Sequence, residues 1–176
     1  MRIAPITPGT RPELAAQEAQ IIAARGRISD LYQVLLNSPP IAHGWEQMLS
    51  AVRNKSSLPA GLRELVIIRV AVLNKADFEY KAHVPIALKE GVSQAVIDAV
   101  TNAEYLAPMP LGAGLSEAEQ VALLLTDTMT RAIEVPDSLF TEVKKHFDAQ
   151  GQIDLVATIA AYNMVSRFLT AFHIGH

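Results

Sequence analysis

The chain has 176 residues, of which 50% are hydrophobic and 19% charged, with a formal net charge of −3. This length can bury a sizeable core in one domain, and the composition excludes a disordered chain. No block of Lys or Arg offers a nucleic-acid footprint. The absence of cysteine removes disulfides, thiolate nucleophiles and Cys-ligated metal sites together.

Residues 1–11 hold Pro5, Pro8 and Gly9 and are expected to form an extended arm. They contain no apolar segment of the kind a secretory signal needs, so a cytoplasmic location is expected. Residues 12–176 are expected to form a single domain. Pro12 suits the first position of a helix, with Thr10 as its cap. Glu13 to Arg25 is Ala-rich and helical, and Gly26 is a stop signal. Ile28 to Leu36 predicts a short second helix, ended by Asn37-Ser38-Pro39-Pro40. A third runs from Ile41 to about Arg53, with Trp45, Met48, Leu49 and Val52 at i, i+3, i+4 and i+7.

Leu58 to Val92 is the centre of the chain and reads as two consecutive helices. The first is apolar nearly all round, which predicts burial. Its apolar runs are interrupted by Arg69 and Lys75, too soon for a membrane span. The second is amphipathic and carries Asp77, Glu79, His83 and an internal Pro85. Ser93 then caps a helix to about Ala103, and residues 108–114 (PMPLGAG) read as a linker. Ser116 and Glu119 form a capping box that opens a helix to about Ala132. Pro136-Asp137 starts another, Ser138 to Ala149, which Gly151 is expected to break. The last helix, Ile153 to about Phe172, is as apolar as the central one. No stretch alternates as a strand would, so the fold class is all-α. Glu64-Leu65-Val66 and Ala71–Asn74 also echo Asp154-Leu155-Val156 and Ala160–Asn163. The spacing differs between the two, so a duplicated helix unit is an expectation of pattern only.

Three carboxyl or imidazole groups in the central pair invite chemistry. Glu64 is followed by an almost unbroken apolar run, and a buried carboxylate is costly unless paired or protonated. It also fits the first turns of a helix, where the macrodipole favours a carboxylate without any function. Glu79 and His83 are four apart and share a helix face. A carboxylate there would orient the imidazole and favour its protonated form, as a general acid needs; the alternative is a surface ion pair. Pro85 leaves the Lys81 carbonyl without its usual partner and could aim His83 inward. Arg69 sits among apolar residues, where it either snorkels or pairs with an acid. Asp77, Glu79 and His83 make a weak zinc set, so no metal is expected.

Taken together, Leu58-Pro59, Glu64-Leu65-x-Ile67-Ile68-x-Val70, Phe78-Glu79-Tyr80-x-x-His83 and Gly91-Val92-Ser93 resemble the carboxymuconolactone decarboxylase family. Its superfamily includes the alkylhydroperoxidase AhpD proteins. In the peroxidase branch the pattern is Glu, Cys-x-x-Cys, and His four residues beyond the second Cys. Glu64 and His83 fall on the outer positions, while Ala76 and Glu79 stand where the cysteines would be. The resemblance therefore implies the cysteine-free branch, without thiol-based peroxide reduction. It implies an AhpD-like helical bundle and loss of CO2 from a small carboxylated lactone or ring-cleavage product, with no metal and no organic cofactor. His83 would be the proton donor poised by Glu79, Glu64 its partner or relay, and Arg69 a cation for the substrate carboxylate. A small-molecule substrate and a homo-oligomer, trimer or hexamer, are the implied partners, with no nucleic acid and no membrane. The alternatives are an AhpD-like peroxidase activity, disfavoured by the missing thiols, and a non-catalytic oligomeric helical protein that binds a small ligand.

Overall fold

The computed structural model describes residues 1–101 and 114–175; the sequence-predicted linker before Gly114 lies outside the described residues. Among the described residues every regular element is helical. A 3₁₀ turn, Pro12–Leu14, is followed by α1 (Ala15–Arg25), α2 (Asp30–Leu35), α3 (Pro39–Asn54), α4 (Ala60–Leu73) and α5 (Asp77–Lys89). Then come α6 (Gln94–Thr101), α7 (Glu117–Arg131), α8 (Asp137–His146) and α9 (Ala149–Phe172). The all-α expectation holds.

Three boundaries differ from the sequence reading, each for a local reason. Pro39 and Pro40 open α3 as well as closing the segment before it, because a first helical turn needs no N–H from them. Thr10 does not cap the first helix; its hydroxyl donates to the Thr7 carbonyl at 2.7 Å within the arm. Gly151 lies inside α9 and does not break it. Asp148 Oδ1 accepts from the Gly151 N–H at 2.8 Å, so this side chain starts the helix and absorbs an otherwise unpaired donor. The Ser116–Glu119 capping box forms as expected, with Ser116 N donating to Glu119 Oε2 at 2.8 Å.

The chain divides into two compact units, 1–55 with 168–176, and 56–167. In the first, Ile6 of the arm is buried, and its N–H donates to the Gln33 carbonyl at 3.0 Å. Trp45 packs on Phe168 with ring centroids 5.0 Å apart, and Phe168 on Phe172 at 4.7 Å. Glu46 is a buried hub that accepts from Tyr32, Ser50 and Arg25. Burial alone would raise its pKa, but these three hydrogen bonds outweigh it and hold the carboxyl below its ordinary value.

The second unit is built around α4, where every residue from Glu64 to Ala71 is buried. Leu65 and Ile68 of α4 join Ala87, Val96, Ile97, Val100 and Leu123 in one core. α9 turns Leu155, Ile159, Tyr162 and Ser166 inward at helical spacing. By length and composition α9 could cross a membrane, as the core helix of a soluble protein also could. Its polar Tyr162 and Ser166 are buried here against other side chains of the same unit.

Candidate active site

α4 and α5 are joined by a tight turn, and this hairpin sets the site. Lys75 takes a left-handed conformation with φ 55°. Its N–H reaches the Val72 carbonyl at 3.1 Å, and the Ala76 N–H reaches Ala71 at 2.8 Å, the bonding pattern of a Schellman motif. The chain then reverses immediately into α5. Glu64, one turn into α4, meets His83, near the middle of α5.

The Glu64 carboxylate and the His83 imidazole are paired, with Oε2 and Nδ1 2.6 Å apart. Their side chains are 1% and 8% exposed respectively, so the carboxylate lies inside and the ring forms the outward edge. A carboxylate on Nδ1 fixes the ring orientation. Arg63 stands on the other side of Glu64, with Nε 3.6 Å from Oε1, too long for a hydrogen bond. That Nε has no hydrogen-bond partner. Tyr162 of α9 meets the His83 ring edge to face at 5.2 Å and 89°.

Glu79 does not supply the carboxylate for His83. It is 3% exposed, and its Oε2 accepts from Ser166 Oγ of α9 at 2.5 Å. Burial is the main influence on it and lifts its pKa to about 8, with the Ser166 hydrogen bond pulling the other way. The pairs 79–166 and 83–162 run in opposite senses along their helices, so α5 and α9 cross antiparallel here, joined by two rungs one turn apart.

Arg69 is placed elsewhere. It is 0% exposed and holds Asp127 of α7 through Nε and Nη2, both at 2.5 Å, and the Val100 carbonyl through Nη1 at 3.0 Å. A guanidinium so enclosed ties α4 to α6 and α7 and is not presented to a substrate carboxylate, which corrects the sequence expectation. Among the described residues no three His, Asp or Glu side chains converge as a metal set. Two clefts of this unit, one lined by Leu125, Met129, Phe140 and Arg167, the other by Ser57, Leu62, Glu119 and His146, do not count Glu64, Glu79 or His83 in their walls.

The sequence expectation set Glu79 beside His83, whereas His83 is paired with Glu64 and Glu79 with Ser166, because i, i+4 spacing shows neighbours on a helix and not the contacts made across a hairpin. Tyr162 and Ser166 lie far along the chain on an apolar helix. Their own i, i+4 spacing was the only signal for them.

The profile of the carboxymuconolactone decarboxylase family matches residues 39–128, which include Glu64, Glu79 and His83 but neither Tyr162 nor Ser166. The uncharacterised protein YdfG of Bacillus subtilis (strain 168) is 30% identical over 122 residues, covering 66% of this chain and 77% of YdfG. Among solved structures, an alkylhydroperoxidase AhpD core, an uncharacterised peroxidase-related protein from Ralstonia eutropha JMP134, superimposes with a TM-score of 0.80 at 18% identity. That match covers 98% of this chain and 90% of the other. The debrominase Bmp8, solved as a cysteine-to-alanine variant with 2,3,4-tribromopyrrole, gives 0.77 at 15% identity over 98% and 90% of the two chains. At such identities the likeness is one of fold, AhpD-like and all-α.

Proposed function

The chain belongs to the carboxymuconolactone decarboxylase family, and from that premise we propose that it is a cofactor-independent decarboxylase of a small carboxylated lactone or ring-cleavage product. The observation that carries the reading is the buried Glu64–His83 pair at 2.6 Å. A carboxylate that orients an imidazole, with the ring as the outer member, is the arrangement a general acid requires.

The reaction needs an anionic substrate to be held, charge to be accepted by the lactone, and one proton to be delivered to carbon. As the carbon–carboxylate bond breaks, CO2 leaves and the bonding pair enters the lactone as a dienolate. His83, oriented by Glu64, gives the ring carbon a proton, and the imidazole is then reprotonated with one proton drawn in the end from solvent. Arg63, beside Glu64 and with Nε lacking a hydrogen-bond partner, is the cation we assign to the substrate carboxylate in place of Arg69. Thiol-based peroxide reduction, suggested by the names of structural neighbours, has no chemical basis in a chain without cysteine.

The test is turnover of 4-carboxymuconolactone, followed by CO2 release and lactone absorbance. His83→Ala should lower kcat about a hundredfold or more with helical circular dichroism unchanged. Arg63→Gln should raise KM by about tenfold or more, the loss of one charged hydrogen bond, with less effect on kcat. Full activity in His83→Ala would remove the role given to that residue. Inactive wild type would remove the decarboxylase reading and favour a ligand-binding protein on the same fold.

A further inference from the structure

Glu79 shares a face of α5 with His83 yet takes no part in the pair just described. Its carboxyl is 3% exposed, and Oε1 has no hydrogen-bond partner. Oε2 accepts only the Ser166 hydroxyl, and no Lys, Arg or His pairs with Glu79 among the described residues. A full negative charge here would have one hydroxyl to replace its lost hydration, whereas a neutral acid needs far less. Burial accordingly raises its pKa to about 8, against the pull of Ser166. The other ionisable groups brought to this region are His83 on α5 itself, Glu64 and Arg63 on α4 and Tyr162 on α9. Of these His83 is the one a single helical turn from Glu79, the spacing at which side chains on a helix are neighbours.

We propose that Glu79 stores a proton at neutral pH and passes it to His83 after each turnover, acting through the imidazole and not on the substrate. Ser166 holds Oε2 in place, so that the exchangeable proton belongs to the Oε1 side. The balance is simple. His83 gives its proton to the dienolate carbon and is left neutral. Glu79 gives its proton to His83 and becomes an anion, and water returns one proton to Glu79. One proton is consumed for each CO2 released. The purpose of the proton rests on the decarboxylase reading, but its location does not.

The two are separated by an NMR titration of the histidine ring protons of the intact protein, with His83 assigned by loss of its signals in His83→Gln. In the wild type the His83 signals should show, besides the ring's own titration, a step near pH 8, where Glu79 gives up its proton. Glu79→Gln should lose the step near pH 8 with its circular dichroism unchanged, and Glu79→Asp should keep it at a displaced pH. A single step common to wild type and Glu79→Gln overturns the store. With 4-carboxymuconolactone, wild-type kcat should fall through the same pH. Glu79→Gln should be about tenfold slower at neutral pH and lack that alkaline limb, with KM little changed. An unaltered kcat profile overturns the transfer to His83. A two-step titration in a wild type that does not turn the lactone over removes the reaction and the delivery, and keeps the stored proton.

Discussion

Glu64 and Glu79 are both buried carboxyls in one small region, and what surrounds each sends them different ways. Glu64 has an imidazole at 2.6 Å and a guanidinium beyond it, whereas Glu79 has one hydroxyl. The difference should appear in stability. The pKa of Glu79 is about 8 in the fold against an ordinary value of 4.5, so between these values the folded chain holds a proton that the unfolded chain has lost. The stability it contributes is therefore complete below about pH 4.5 and lost as pH rises through about 8. Glu79→Gln cannot ionise. Its stability relative to wild type should grow by roughly 1.4 kcal/mol per pH unit across that window. Urea denaturation at pH 5 and pH 8 measures this, and equal differences at the two values would show that Glu79 is charged throughout. Arg69 and Asp127 illustrate the opposite case. Each would be a severe liability alone in this interior, and together they satisfy one another.

At the level of elements, three helices among the described residues end in the same hydrogen-bonded reversal, and of these three one uses glycine for it. α5 ends at Gly91, φ 88°, with the Val92 N–H on the Ala87 carbonyl. α4 ends at Lys75, φ 55°, and α9 at His173, φ 53°. A side chain in the left-handed region is strained by about 1–2 kcal/mol, part of which glycine would give back through its freedom in the unfolded chain. Lys75→Gly should therefore stabilise the protein by about 0.5–1 kcal/mol, read as a higher urea midpoint at constant m. An unchanged or lower midpoint would mean that the lysine side chain contributes more than the strain it incurs. This turn was also illegible in the sequence, since no glycine marks it, although it is what brings Glu64 to His83. The resemblance noted between the two apolar helices has a physical counterpart. Asn74 Nδ2 at the end of α4 donates to Asn163 Oδ1 of α9 at 3.0 Å, so two of the rhyming positions touch.

For the molecule as a whole, what could be read in advance was whatever depends on local pattern. The helical class, the burial of α4 and the Ser116 capping box follow from periodicity and cap chemistry, which neighbours in sequence determine. The partners of Glu64, Glu79 and Arg69 depend on which helices meet, and that is settled by tertiary packing. Asp127 carries no local mark of its role, and Ser166 only its i, i+4 spacing from Tyr162. The error over Gly151 has the same source, because Asp148 supplies the cap that lets the helix run through it. α9 continues unbroken from residue 149 to residue 172, and the division between the two compact units falls within it.

That division has an optical consequence. Trp45 is the sole tryptophan of the chain, and it is 7% exposed in the first unit, packed on Phe168. Its emission reports the melting of that unit, while far-ultraviolet ellipticity counts the helices of both. A single cooperative transition of the whole chain would carry both signals together. The two signals should therefore fall at one denaturant midpoint. If the fluorescence collapses first, the protein is two cooperative bodies sharing a helix, and the Glu64–His83 pair could outlive the fold around its tryptophan.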